Sequence, residues 1–146
     1  MKTRTIRNLR PILVIMAVAV SLLPIDGSAS ELRQKIIAGY ALEARSQDHG
    51  FKGFSAERGK AFFLSSPATG KPDTPSCTSC HSTDPAAKGR TRAGKEIAPM
   101  VVSKTPERYI DIKKVEKWFR RNCKGVLGRT CTAVEKGDFL TLMSNR

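Results

Sequence analysis

Acidic side chains, aromatics and histidines are all scarce in this sequence. Thirteen Asp and Glu stand against twenty-six Lys and Arg, nine residues are aromatic and two are histidine. No alternating apolar and polar stretch marks a strand, and no internal repeat or low-complexity tract competes, so the domain reads as all-α. The aromatics do not interleave with the basic residues and no nucleic-acid-binding motif occurs, which argues against a nucleic-acid partner. Long apolar runs are limited to Ile12–Leu23, too short for the ~20 residues that span a bilayer. That run follows Lys2, Arg4, Arg7 and Arg10 and precedes Gly27-Ser28-Ala29-Ser30, the layout of a secretory signal peptide over residues 1–30. No cysteine lies near its end to take a lipid. Export to the periplasm is the expected outcome.

The remaining residues, 31–146, suit one compact domain and are too few for two. Removing the four basic residues and Asp26 of the signal segment from the whole-chain balance of +13 leaves a charge of about +10. Such a surface favours acidic partners or membrane surfaces. All four cysteines fall in this exported part, where an oxidising compartment keeps a spare pair bridged.

Leu32, Ile36, Ile37 and Tyr40 are spaced for one face of a short amphipathic leader helix that starts at Ser30 or Glu31 and ends at Gln47-Asp48-His49-Gly50. Ser55 fits the N-cap of a second helix, in which Gly59 permits close approach by another helix. Residues 65–99 are rich in proline and small polar residues and read as a long loop around a ligand. Beyond Pro106, Asp111 caps a helix whose Ile112, Val115, Trp118, Phe119 and Asn122 fall on one apolar stripe. Thr132 and Glu135 form a capping box that opens a last helix carrying Val134, Phe139, Leu140 and Met143.

The loop contains Cys77-Thr78-Ser79-Cys80-His81. This C-x-x-C-H spacing lets two thiols bond covalently to haem vinyl groups while the histidine ligates iron. A zinc site would need a matching second half, which Cys123 and Cys131, eight residues apart, do not supply. A thioredoxin-like pair would need a βαβ context. One motif implies one haem c, whose porphyrin supplies the apolar surface that a chain poor in aromatics lacks.

Function then turns on the second axial ligand. Met100, Asn122, His49 and Met143 are candidates, as is a vacant position, and chain reach does not separate Met100 from Asn122. Met100 would give the soft thioether of an electron carrier. Asn122 lies on the buried stripe, where a primary amide costs about 1–3 kcal/mol unless it finds a partner. A Cys123–Cys131 bridge would close a short loop and fix the helix end that presents Asn122.

The stretch KVEKWFRRNCKGVLGRTCTAVEKGDFL (114–140), with CTSCH and GKEIAPM, resembles the sphaeroides haem protein family of high-spin c-type cytochromes over roughly residues 50–144. The resemblance implies a class I cytochrome c-like fold, His81 as proximal ligand, Asn122 as distal ligand beside a Cys123–Cys131 disulfide, and loss of the asparagine from iron on reduction. It also implies binding of oxygen, nitric oxide or carbon monoxide at the freed position.

The expected function is that of an exported monohaem cytochrome that takes electrons from a redox partner, another cytochrome or a membrane-bound protein, and binds a small diatomic gas when reduced. The alternative is a Met100-ligated low-spin carrier without gas binding. No general acid or base pair marks a catalytic step. Lys71, Lys88 and Lys95 are candidates for steering an acidic partner to the haem edge.

Overall fold

The computed structural model describes residues 26–146. The basic segment and apolar run of the expected signal peptide lie outside the described residues. Helix α1 spans Asp26–Gln47, α2 Ala56–Leu64, α3 Ile112–Leu127 and α4 Ala133–Ser144. Between α2 and α3 run a single 3-10 turn at Cys77–Ser79 and a two-residue antiparallel ribbon, β1 (Gly89–Arg90) with β2 (Glu96–Ile97). The ribbon is too short to leave an alternating pattern.

Local chemistry sets the helix ends. The Ser55 side chain accepts from the Arg58 N–H at 3.2 Å, the Asp111 carboxylate accepts from the Lys113 and Lys114 N–H groups, and Thr132 and Glu135 satisfy each other's backbone N–H. Gly128, at φ +71°, ends α3 in the left-handed conformation that glycine adopts without strain.

Helices α2 and α4 cross so closely at Gly59 that a Cβ there would sit 2.2 Å from the Asp138 carbonyl oxygen. Beside the crossing the Asp138 carboxylate, almost fully buried, accepts from the Ser55 N–H and from two nitrogens of Arg58 at 2.7–2.8 Å. Phe139 on α4 is the hub of the core, with the rings of Phe63, Tyr109 and Phe119 centred 5.6–6.4 Å away. Met143 is fully buried here, and its carbonyl accepts from the Val102 N–H, tying the long loop to the end of α4.

Helix α1 differs from the short leader expected. It is already helical at Asp26, the first described residue, and it buries Ile36, Tyr40 and Ala44 against the domain. The Tyr40 hydroxyl donates to Glu116 on α3, and Lys136 on α4 donates to both oxygens of the same carboxylate at 3.0 Å. Burial, then the hydrogen bond and charge of Glu116, raise the Tyr40 pKa well above its ordinary value. Burial alone would raise Glu116, but hydrogen bonds from Tyr40 and Lys136, aided by the charges of Lys136 and Arg120, outweigh it and hold the carboxyl below its usual range.

Two signs follow by linkage. The Glu116 contribution is present above the ordinary carboxylate pKa and is lost as pH falls through the depressed one. The Tyr40 contribution is present below the ordinary phenol pKa and is lost as pH rises toward the raised one. Hydrogen-exchange protection of the α1 amides, corrected for intrinsic rates, should therefore be highest near neutrality and fall at both extremes. A flat profile would mean that apolar packing alone docks α1.

Candidate haem site

The attachment motif occupies the 3-10 turn. The Cys80 and His81 N–H groups both donate to the Cys77 carbonyl, at 3.3 and 3.1 Å, so all three functional side chains leave one tight turn. Cys77 and Cys80 stand outside the disulfide, each half-buried. Burial pushes the Cys77 pKa up to about 11. His81 is half-buried too, and burial, with the nearby Arg108 charge, lowers its pKa, which favours the neutral imidazole that binds metal. An open cleft of about 440 Å³ runs beside the motif, lined by Thr78–Ser82, Lys88–Arg90 and Glu96. Gly89 closes against the turn, where a Cβ would meet the Cys80 carbonyl oxygen at 2.4 Å.

The chain entering the motif is tied to the last turns of α3. The Gly125 carbonyl accepts from the Lys71 N–H at 2.7 Å and from the Thr74 hydroxyl at 3.4 Å, while the Thr69 hydroxyl donates to the Leu127 carbonyl at 3.0 Å. Gly70 fits there because a Cβ would lie 2.1 Å from the Gly125 oxygen. Cys123 and Cys131 are bridged, with Cα atoms 5.6 Å apart. Motif, α3 and bridge therefore form one connected unit.

Asn122 does not lie on the buried stripe. Val115, Phe119, Cys123 and Leu127, spaced four apart, take the core side of α3, which leaves Asn122 and Trp118 exposed on one flank, while Ile112 projects along the core side and is exposed at the helix's first turn. At 100° per residue Asn122 is about 80° from the centre of that buried face. Packing within the chain therefore forces no partner on its amide. What stands is a different property: among the described residues the Asn122 side chain makes no hydrogen bond, one residue before the bridge and one turn before the Gly125 anchor.

The other candidates are placed otherwise. Met100 is buried in the core, its N–H donating to Pro85 at 2.8 Å and its carbonyl accepting from Tyr109. Arg108 grips the preceding carbonyls of Ala98 and Pro99. Met143 is core, and His49 is an exposed turn residue after α1. Sequence reasoning did not find the Thr69–Thr74 strap or the role of Arg108. Both act through backbone carbonyls, which leave no mark in side-chain patterns.

Two cysteines outside the disulfide and an imidazole whose pKa burial lowers, within five residues, are the donor set that covalent haem requires. Fold and site define a c-type cytochrome carrying one covalently attached haem c. Residues 49–143 match a family model described as "Domain of unknown function (DUF1924)". The cytochrome c-type protein SHP of Cereibacter sphaeroides is 50% identical over 110 residues, covering 75% of this chain and 81% of that protein. The chain belongs to the SHP family of c-type cytochromes, and its fold is the all-α class I cytochrome-like one. A solved structure of oxidized SHP, described as an oxygen-binding cytochrome c, has a TM-score of 0.72 at 48% identity and covers 78% of this chain and 96% of that one. Oxidized cytochrome c'' of Methylophilus methylotrophus gives 0.68 at 31% identity, over 77% and 93%.

Proposed function

We propose that this protein is an exported, periplasmic cytochrome in which Asn122 is the distal ligand and leaves on reduction, so that the reduced protein binds oxygen, nitric oxide or carbon monoxide. When bound, haem supplies a one-electron couple and an axial coordination position. Cys77 and Cys80 would hold it through thioether bonds, and the His81 imidazole would be its ligand from the same turn. The Asn122 amide oxygen is a hard neutral donor that suits ferric iron better than ferrous, so an electron arriving from a redox partner weakens its hold.

The observation that carries this reading is the placement of Asn122: it adjoins the Cys123–Cys131 bridge on the end of α3 that is tied through the Gly125 carbonyl to the segment entering the C-x-x-C-H motif. Membership of the SHP family, with its oxygen-binding relative, supports the gas-binding part. A Met100-ligated carrier is less well supported, since both backbone groups of Met100 are engaged and its side chain belongs to the core cluster.

Asn122→Ala should raise the azide affinity of the ferric holoprotein by about tenfold or more, because a competitor for the position is removed. Met100→Leu should leave the ferric and carbon monoxide spectra of the wild type unchanged. The reverse pattern would move the distal ligand to Met100.

A further inference from the structure

We infer that the solvent face of α3 is the docking surface for an acidic redox protein. Lys113, Lys114, Lys117, Arg120, Arg121 and Lys124 are all exposed, and on a helical projection they fill one continuous arc of roughly 120°. None of the six forms an ion pair among the described residues. The one carboxylate of α3, Glu116, is already taken by Tyr40 and Lys136. Six like charges on sixteen residues repel one another and weaken the isolated helix, so the fold carries a cost that a complementary negative surface would offset.

The attachment loop makes a weaker surface. Lys88 is paired with Glu96 at 2.9 Å and Arg92 with Asp73, which removes Lys88 from the group first expected to steer a partner. A lipid surface fits α3 less well than a protein does. Membrane-seated helices turn an apolar face outward, whereas the apolar face of α3 is in the core, and the exposed Trp118 stands alone there with the Arg121 guanidinium 5.3 Å from its ring centre. Asn122 lies on the same helix about 80° beyond the edge of this arc, on the flank nearer the core.

The test is reduction of the ferric holoprotein by a photoreduced flavodoxin, a small acidic electron donor, followed by stopped flow at low and high ionic strength. Lys117→Glu/Arg120→Glu should lower the second-order rate at least tenfold at low salt and converge with wild type at high salt. Lys88→Glu/Lys95→Glu, an equal change in net charge, should stay within about threefold of wild type. Equal losses in both variants would show that net charge alone steers, and a loss confined to the loop variant would put docking at the haem-attachment loop. Either overturns the proposal. So does sedimentation of wild type with phosphatidylcholine/phosphatidylglycerol vesicles at physiological salt that the α3 variant abolishes. The salt dependence should persist in Asn122→Ala, so failure of the asparagine assignment is read separately.

Discussion

Gly59→Ala should destabilise the holoprotein by about 3 kcal/mol and lower its melting temperature by roughly 10 °C. The sign is the informative part, because glycine-to-alanine inside a helix ordinarily stabilises by up to about 1 kcal/mol. Here the added methyl carbon would lie 2.2 Å from the carbonyl oxygen of Asp138 and 2.7 Å from its carbon. Backbone cannot rotate aside as a side chain can, so α2 and α4 must separate. Separation loosens the contact of Phe63 with Phe139 and the grip of Arg58 on Asp138 together. Gly39→Ala is the matched control: it lies mid-helix in α1 with nothing within 4 Å of the new atom, and it should be neutral or stabilising. Thermal unfolding of both variants decides the matter, and a stabilised Gly59→Ala would mean that the crossing is looser than described.

The second large effect is expected from Cys123→Ala/Cys131→Ala. Closing a loop with a sequence separation of 8 removes unfolded-state entropy equivalent to roughly 2–3 kcal/mol, which the variant loses. The bridge also joins the turn of α3 next to Asn122 to the residue before the Thr132 cap of α4. Freeing it should therefore act on the haem as well as on stability. Urea unfolding should show a lower midpoint, and azide titration of the ferric form should show binding between those of wild type and Asn122→Ala. Lost stability with unchanged azide binding would confine the bridge to general stapling.

Much of the architecture was legible because it is local. The caps at Ser55, Asp111 and Thr132 rest on one side chain and the next turn of backbone, and Gly59 announces a crossing by its lack of a side chain. The C-x-x-C-H motif carries its chemistry within five residues. The burial of Asn122 was misjudged because a helix with apolar residues over a wide arc has several possible inward faces. Tertiary partners chose the one holding Phe119 and Cys123, and exposed Trp118. The union of Tyr40, Glu116 and Lys136 spans three helices, and the hold of Gly125 on Lys71 and Thr74 is made by a carbonyl. Neither has a sequence period to betray it.

The double anchorage at the end of α3 bears on time. A helix stapled at Cys123, closed at Gly128 and strapped at Gly125 has little freedom to shift along its axis or to unwind where Asn122 sits. On the proposed mechanism, the movement of Asn122 would then be a rotation of one side chain and not a microsecond rearrangement of backbone. Backbone motion would add no delay of its own to the opening of that position.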